Sequence, residues 1–347
     1  MRWSYNLERS YAAAIWLAGV AFLVFLMVIV GGATRLTGSG LSITEWKPVT
    51  GVLPPLSAHG WALEFAKYQH IPQYQLVNKG LSLGAFKSLY WWEWTHRLLG
   101  RIVGAAILIP MAVLLILRRI PRRLIWRCGV ILALVALEGF VGWWMVASGL
   151  EARISVAPER LATHLSLALL IFTVCVWTAL EAWFGRTRTT FGADQRTIIG
   201  SVALVVMSFI QIMLGALVAG NRAGQVYTDW PLMAGKVFPK DYAPKGLHLW
   251  DVLAHSQAAV QFNHRLGGYV LFALAMAFAV SVWRTPRTLA PVRQLALALA
   301  GLVTAQAAWG IMTLRMAAPL GFSLVHQIGA VVVLTTAIVL AWRVQRN

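Results

Sequence analysis

Two copies of one short pattern hold the residues able to do chemistry in this chain. The first is Glu93-Trp94-Thr95-His96-Arg97-Leu98-Leu99-Gly100, and 168 positions on comes Gln261-Phe262-Asn263-His264-Arg265-Leu266-Gly267-Gly268. Each sets an imidazole beside a guanidinium near the start of a long apolar run. Two more histidines, His164 and His326, fall near the starts of later apolar runs, 162 positions apart. One histidine at a helix end is ordinarily a hydrogen-bonded interfacial residue. Four at one depth in a repeated pattern form a donor set, because ionisable groups inside a membrane are costly and usually paired or functional. Imidazole is a common axial ligand of haem iron, and facing helices of a bundle commonly hold such a group. His96 with His164, and His264 with His326, would each supply one axial pair.

Other metals fit less well. Zinc takes three or four histidine, cysteine or carboxylate ligands, and each histidine pair has few companions. Copper is not excluded by ligand type, but no thiolate or methionine cluster accompanies the histidines. Glu93 lies three residues before His96, so the two share a helix face. A carboxylate beside a haem edge can carry a proton, whereas its counterpart Gln261 has a similar shape and cannot ionise. Equal ligands with one titratable neighbour point to one reactive haem and one that stores or relays electrons. The plain alternative is an interfacial carboxylate beside Trp92 and Trp94. Arg97 and Arg265, with Arg101, either pair with haem propionates or a loop carboxylate, as guanidinium geometry suits, or reach out to the membrane interface. Glu138 matches Gln306 in the repeat and serves either a proton path or a hydrogen bond inside the bundle.

The elements that position these residues follow from composition. Of 347 residues 59% are hydrophobic and 12% charged, about half the charged share of soluble domains, and mean hydropathy is +0.68. Crossing a bilayer takes about 20 apolar residues. Eight stretches qualify: 11–33, 91–117, 128–147, 161–184, 198–219, 259–283, 293–313 and 322–342. The first is too long for a signal-peptide core and lacks a cleavage site, so it counts as a helix. The net charge of +18 is not a nucleic-acid footprint, because its pattern is topological. Arg118, Arg119, Arg122, Arg123 and Arg127 crowd one short link, Arg186, Arg188 and Arg196 the next even one, and Arg284, Arg287 and Arg293 the third. Arg2, Arg9, Arg343 and Arg346 mark the ends. With alternating spans all lie on one side, which places both termini in the cytoplasm and draws anionic lipid. Cys128 and Cys175 lie in or beside apolar spans and read as small core residues.

The chain also repeats. Gly40 and Gly224, Thr44 and Thr228, Glu45 and Asp229, and Trp46 and Trp230 all stand 184 apart. Glu138 with Gln306, and Gly142 with Gly310, stand 168 apart. Four spans per half make the repeats parallel, related by an axis along the membrane normal. The fold class is therefore all-α integral membrane, with eight transmembrane helices as two pseudo-twofold-related four-helix bundles, residues 1–190 and 191–347, joined near 185–197. In the long link 34–90, the segment Leu56–His70 predicts a short amphipathic surface helix with apolar positions Trp61, Leu63, Phe65 and Ala66, punctuated by Pro54, Pro55 and Pro72. It and the link 220–258, with His248 and His255, either lid the bundles or are ordinary aromatic-rich interfacial loops. Pro110 is the main breaker inside a span.

The Glu93-x-x-His96-Arg97 motif, the Asn263-His264-Arg265 echo, His164, His326 and the glycine-rich ends of spans one and five resemble the haem A synthases over essentially the whole chain. That resemblance implies oxidation of a ring methyl of haem O to the formyl group of haem A, for terminal oxidases. It also implies that His264 and His326 hold a resident haem b, that His96 and His164 hold the substrate haem O, and that Glu93 is the essential acid. Residues 34–90 contain no cysteine, unlike some bacterial members, so the chain looks like the cysteine-free proteobacterial and mitochondrial branch. The implied setting is a bacterial inner (plasma) membrane with the haem sites toward the periplasm. A haem O synthase, an electron-transfer partner and a homo-oligomer are left open as partners. A di-haem electron-transfer cytochrome would use the same histidines but needs two equivalent sites. A haem carrier would more often show broken helices at mid-membrane.

Overall fold

The computed structural model describes residues 9–151, 153–185, 194–285 and 288–346. Arg2, Arg186, Arg188, Arg287 and most of the junction 185–197 lie outside the described residues. Eleven α-helices occur among the described residues: α1 Tyr11–Leu36, α2 Ala58–Gln69, α3 Pro72–Leu76, α4 Leu83–Ile116, α5 Arg122–Leu150, α6 Pro158–Phe184, α7 Gln195–Gly220, α8 Leu249–His255, α9 Gln257–Arg284, α10 Ala290–Arg315 and α11 Leu320–Val344. Eight of these are long and apolar enough to cross a membrane, and all eight expected spans coincide with them. No strand is present among the described residues.

Local chemistry sets the ends. Ser10, Ser82 and Ser256 cap α1, α4 and α9, each hydroxyl accepting from the amide three residues on, and Asp194 does the same for α7. Such caps satisfy amides that a helix start leaves open. Gly185, at φ +75°, closes α6 in a conformation that favours glycine. Helix α4 begins eight residues before the apolar stretch read as its span and continues through Pro110. Its early start is explained by packing: Phe86 and Tyr90 bury against Trp61 and Tyr68 of α2, with Leu41 and Ile71 filling the same cluster. Helix α2 exists where a surface helix was expected, but it buries Trp61 and Tyr68 against protein, while Leu63 faces out.

In the first half α1 packs on α4 and α6, and α5 on α6 and α4; in the second, α7 packs on α9 and α11, and α10 on α11 and α9. Each half is thus a ring of four in which α4 lies across from α6, and α9 across from α11. The halves meet through α6 on α7, α1 on α11 and α11 on α6. Leu17, Val24, Phe172, Cys175, Leu334 and Ile338 bury in one cluster across this seam. Cys128 and Cys175 are free and buried, as read from the sequence.

Candidate functional site

The histidines come from diagonal helices and point inward. His96 on α4 faces His164 on α6, and His264 on α9 faces His326 on α11; the ring centres are 6.4 Å apart in each pair. Two metal–imidazole bonds of about 2.0 Å, with roughly 1.1 Å from each ring centre to its nitrogen, sum to about 6.2 Å. An iron between the two rings therefore fits both pairs. Among the described residues no group of three or more histidine, cysteine, aspartate or glutamate side chains gathers, so each centre offers its histidine pair alone, the donor set of a planar macrocyclic iron.

Glycine makes room for each ring. A Cβ on Gly31 of α1 would lie 2.9 Å from Cε1 of His96, and one on Gly142 of α5 would lie 3.0 Å from Cε1 of His164. The second half repeats this, with Gly215 of α7 at 3.2 Å from His264 and Gly310 of α10 at 2.7 Å from His326. Sequence reasoning noted Gly142 and Gly310 as repeat markers and the ends of spans one and five as glycine-rich, and missed the task of all four. The available signal was that each repeated histidine has a repeated glycine on a neighbouring span.

Glu93 is 2% exposed and its carboxylate is fully engaged. Oε2 accepts from Ser42 Oγ and the Ile43 amide, both at 2.8 Å. Oε1 accepts from Arg97 Nη2 at 2.6 Å and Nε at 3.1 Å. Arg97 also donates to the carbonyls of Ile43 and Glu45, and Arg101 to those of Lys47 and Pro48. The loop after α1 is thus bolted to the helix that bears His96. In the second half Gln261 Nε2 and Arg265 Nη2 both donate to Tyr227 O, the position matching Ile43 in the repeat. Rather than a loop carboxylate, these arginines meet loop carbonyls, and Arg97 also meets Glu93 on its own helix. Arg265 keeps a buried Nε without a hydrogen-bond partner.

The groups touching the other side of each histidine differ between halves. Gln211 Nε2 lies 3.2 Å from His264 Nδ1, and Gln306 Nε2 3.0 Å from His326 Nδ1. Glu138 Oε1 lies 3.1 Å from His164 Nδ1. His96 Nδ1 and His164 Nδ1 are both buried without a hydrogen-bond partner, the Glu138 carboxylate being close to His164 but not hydrogen-bonded to it. Gln211 went unnoticed in the sequence, although a lone polar residue in mid-span was a signal.

This geometry meets its relatives at full length. The family model described as cytochrome oxidase assembly protein (COX15-CtaA) matches residues 14–338. The chain belongs to this family. Proteins named heme A synthase from Caulobacter sp. (strain K31) and Caulobacter vibrioides are each 54% identical, over 98% of this chain and 98% of theirs. The heme A synthase of Rhizobium meliloti is 47% identical over 94% of this chain and 88% of its own.

Proposed function

We infer that this chain is a haem A synthase, acting on haem O held between paired histidines. The observation that carries this is the coincidence of two histidine pairs, each spaced for one iron, with full-length relatives of that name. The finer reaction, oxidation of a ring methyl of haem O to a formyl group, is assigned to the half formed by residues 1–190. Its support is the asymmetry of the repeat, since Glu93 and Glu138 stand where the other half has Gln261 and Gln306. The half formed by residues 191–347 keeps a haem b on His264 and His326, with the free Nε–H of Arg265 available to a propionate. When bound, that haem supplies one-electron redox capacity.

The protein's own work is orientation, exclusion of water and proton handling. His96 and His164 hold the substrate iron, and the loop bolted by Glu93 and Arg97 closes over that half. Every bond of the Glu93 carboxylate is an accepted one, so a proton taken up there must break a bond to Arg97 or to the loop. Proton uptake and loop release are then coupled. The sidedness follows the basic links: both termini in the cytoplasm and the histidines toward the periplasm. An electron-transfer cytochrome calls for two equivalent centres, and the unequal partners of the four histidines argue against it.

The deciding experiment is pigment extraction with mass analysis after expression with and without a source of haem O. Haem A arising only with that source is the expected result. Haem b alone in both cultures, with ordinary bis-histidine spectra, would replace this reading with the electron-transfer cytochrome.

A further inference from the structure

The four histidines share a glycine on one side and differ in what meets Nδ1 on the other. In the C-terminal half each amide nitrogen near Nδ1 also donates to the same histidine's carbonyl, Gln211 to His264 at 2.9 Å and Gln306 to His326 at 2.7 Å. Gly267 and Gly329, each three residues after its histidine, leave space for these amides, since a Cβ there would collide with the amide oxygen. The N-terminal half has Leu99 and Leu167 at the matching positions. Met27 stands where the repeat puts Gln211: its Cε faces Gly100 as Gln211 Nε2 faces Gly268. Glu138 stands where the repeat puts Gln306, its Oε1 3.1 Å from His164 Nδ1.

A histidine bound to iron through Nε2 carries its proton on Nδ1, and the group found there sets ring orientation and ligand strength. A carboxylate can only accept, which raises ligand basicity and fixes the ring. An amide nitrogen only donates, so it offers the Nδ1–H of an iron-bound histidine no acceptor and holds that histidine through its carbonyl alone, and a thioether gives neither effect. In the C-terminal centre both histidines are held through their carbonyls by an amide. In the N-terminal centre neither Nδ1 has a hydrogen-bond partner, but that of His164 has the Glu138 carboxylate 3.1 Å away as a ready acceptor, and no carboxylate is so placed at His96 among the described residues.

We propose that Glu138 is a positioning residue that makes His164 the anchoring axial ligand of the N-terminal centre, and that His96 is the ligand that yields as the tetrapyrrole enters and leaves. This rests on the haem reading given above. A substrate site must release its iron ligand every turnover, and a permanent site must not, so the grading matches the roles of the two halves. An acceptor at His164 Nδ1 strengthens that ligand and so favours the ferric state, which makes the N-terminal centre the one of lower potential.

The test uses the full-length protein in detergent, reconstituted with iron protoporphyrin IX, titrated potentiometrically and exposed to carbon monoxide when reduced. His264→Ala, which empties the C-terminal centre, assigns the signals. Glu138→Gln should raise the N-terminal potential by about 59 mV for each tenfold loss of ferric preference and leave the C-terminal one in place. The reciprocal Gln306→Glu should lower the C-terminal potential, and it answers the question even where Glu138→Gln folds poorly. Carbon monoxide should open the N-terminal centre first. His96→Ala should retain the N-terminal haem, whereas His164→Ala should weaken its retention far more, on the order of 10–100-fold. Unmoved potentials in both glutamate–glutamine exchanges, or equal haem loss from His96→Ala and His164→Ala, would overturn the proposal. A wild-type N-terminal half that takes up no haem would overturn the haem reading itself, and the proposal with it.

Discussion

An alanine methyl at Gly310 would lie 2.7 Å from Cε1 of His326, while one at Gly215 would lie 3.2 Å from Cε1 of His264. The first is a collision and the second a tight contact that a small shift relieves. Gly310→Ala should therefore displace its histidine and lower the haem-to-protein ratio of the purified protein sharply, with Gly215→Ala much milder. Overpacking of this kind typically costs about 1–3 kcal/mol. Equal ratios in both variants would show that these glycines do not set the ring positions. Glu93 gives the second prediction at this scale. Glu93→Gln keeps the size of the side chain and removes its charge, so both haem centres should form while haem A output falls at least tenfold. Normal output from that variant would remove Glu93 from the reaction.

At the scale of elements, the loop between α1 and α2 is the part whose position depends most on charge. Arg97→Ala removes donors to Glu93, Ile43 and Glu45 together and leaves a buried carboxylate without its cation, a loss of about 3–5 kcal/mol. Amide exchange at residues 39–47 should rise by orders of magnitude, and unchanged exchange there would mean that α2 alone holds the loop. Further along, bonds from Lys47 and Lys67 hold the Glu45 carboxyl below the usual carboxylate range. A depressed folded-state value stabilises the loop above the ordinary carboxylate range and is lost as pH falls through the depressed one. Exchange at residues 45–47 should thus climb only in acid below the usual carboxylate range, and Glu45→Gln should flatten that profile.

Over the whole molecule, two contacts that break the repeat's symmetry cross the seam. Arg35 Nη2 donates to the carbonyls of Ala219 and Gly220 at the end of α7, at 3.1 and 2.7 Å. Gln327, next to His326, donates to Val28 O on α1 at 2.6 Å, with its amide oxygen lying where a Cβ on Gly32 would stand. A cation at a helix C-terminus is favourable, and a single net hydrogen bond gives about 0.5–1.5 kcal/mol. Gln327→Leu should lower the unfolding midpoint modestly. Gly32→Ala should lower it at least as far, because the added methyl collides with the Gln327 amide oxygen and ends the bond to Val28 O. A Gly32→Ala midpoint equal to wild type would mean that the seam gives way at no cost.

The sequence by itself determined the eight membrane-length helices, the twofold repeat and the four histidines. Hydropathy, helix length and identical spacing are properties of the chain read locally, and each survives without knowing what packs on what. Only the tertiary structure decided which groups meet. That Glu93 and Arg97 bolt a loop 50 residues away in sequence could not be read from the motif, since i,i+3 and i,i+4 spacing shows only that Glu93 shares a helix face with His96 and with Arg97. The glycines under the rings and the partners at Nδ1 come from neighbouring helices, and no spacing along one chain reports a contact between two. Glu138 is the clearest case: as a residue it was a carboxylate in mid-span with two readings, and the ring of four helices set it 3.1 Å from His164.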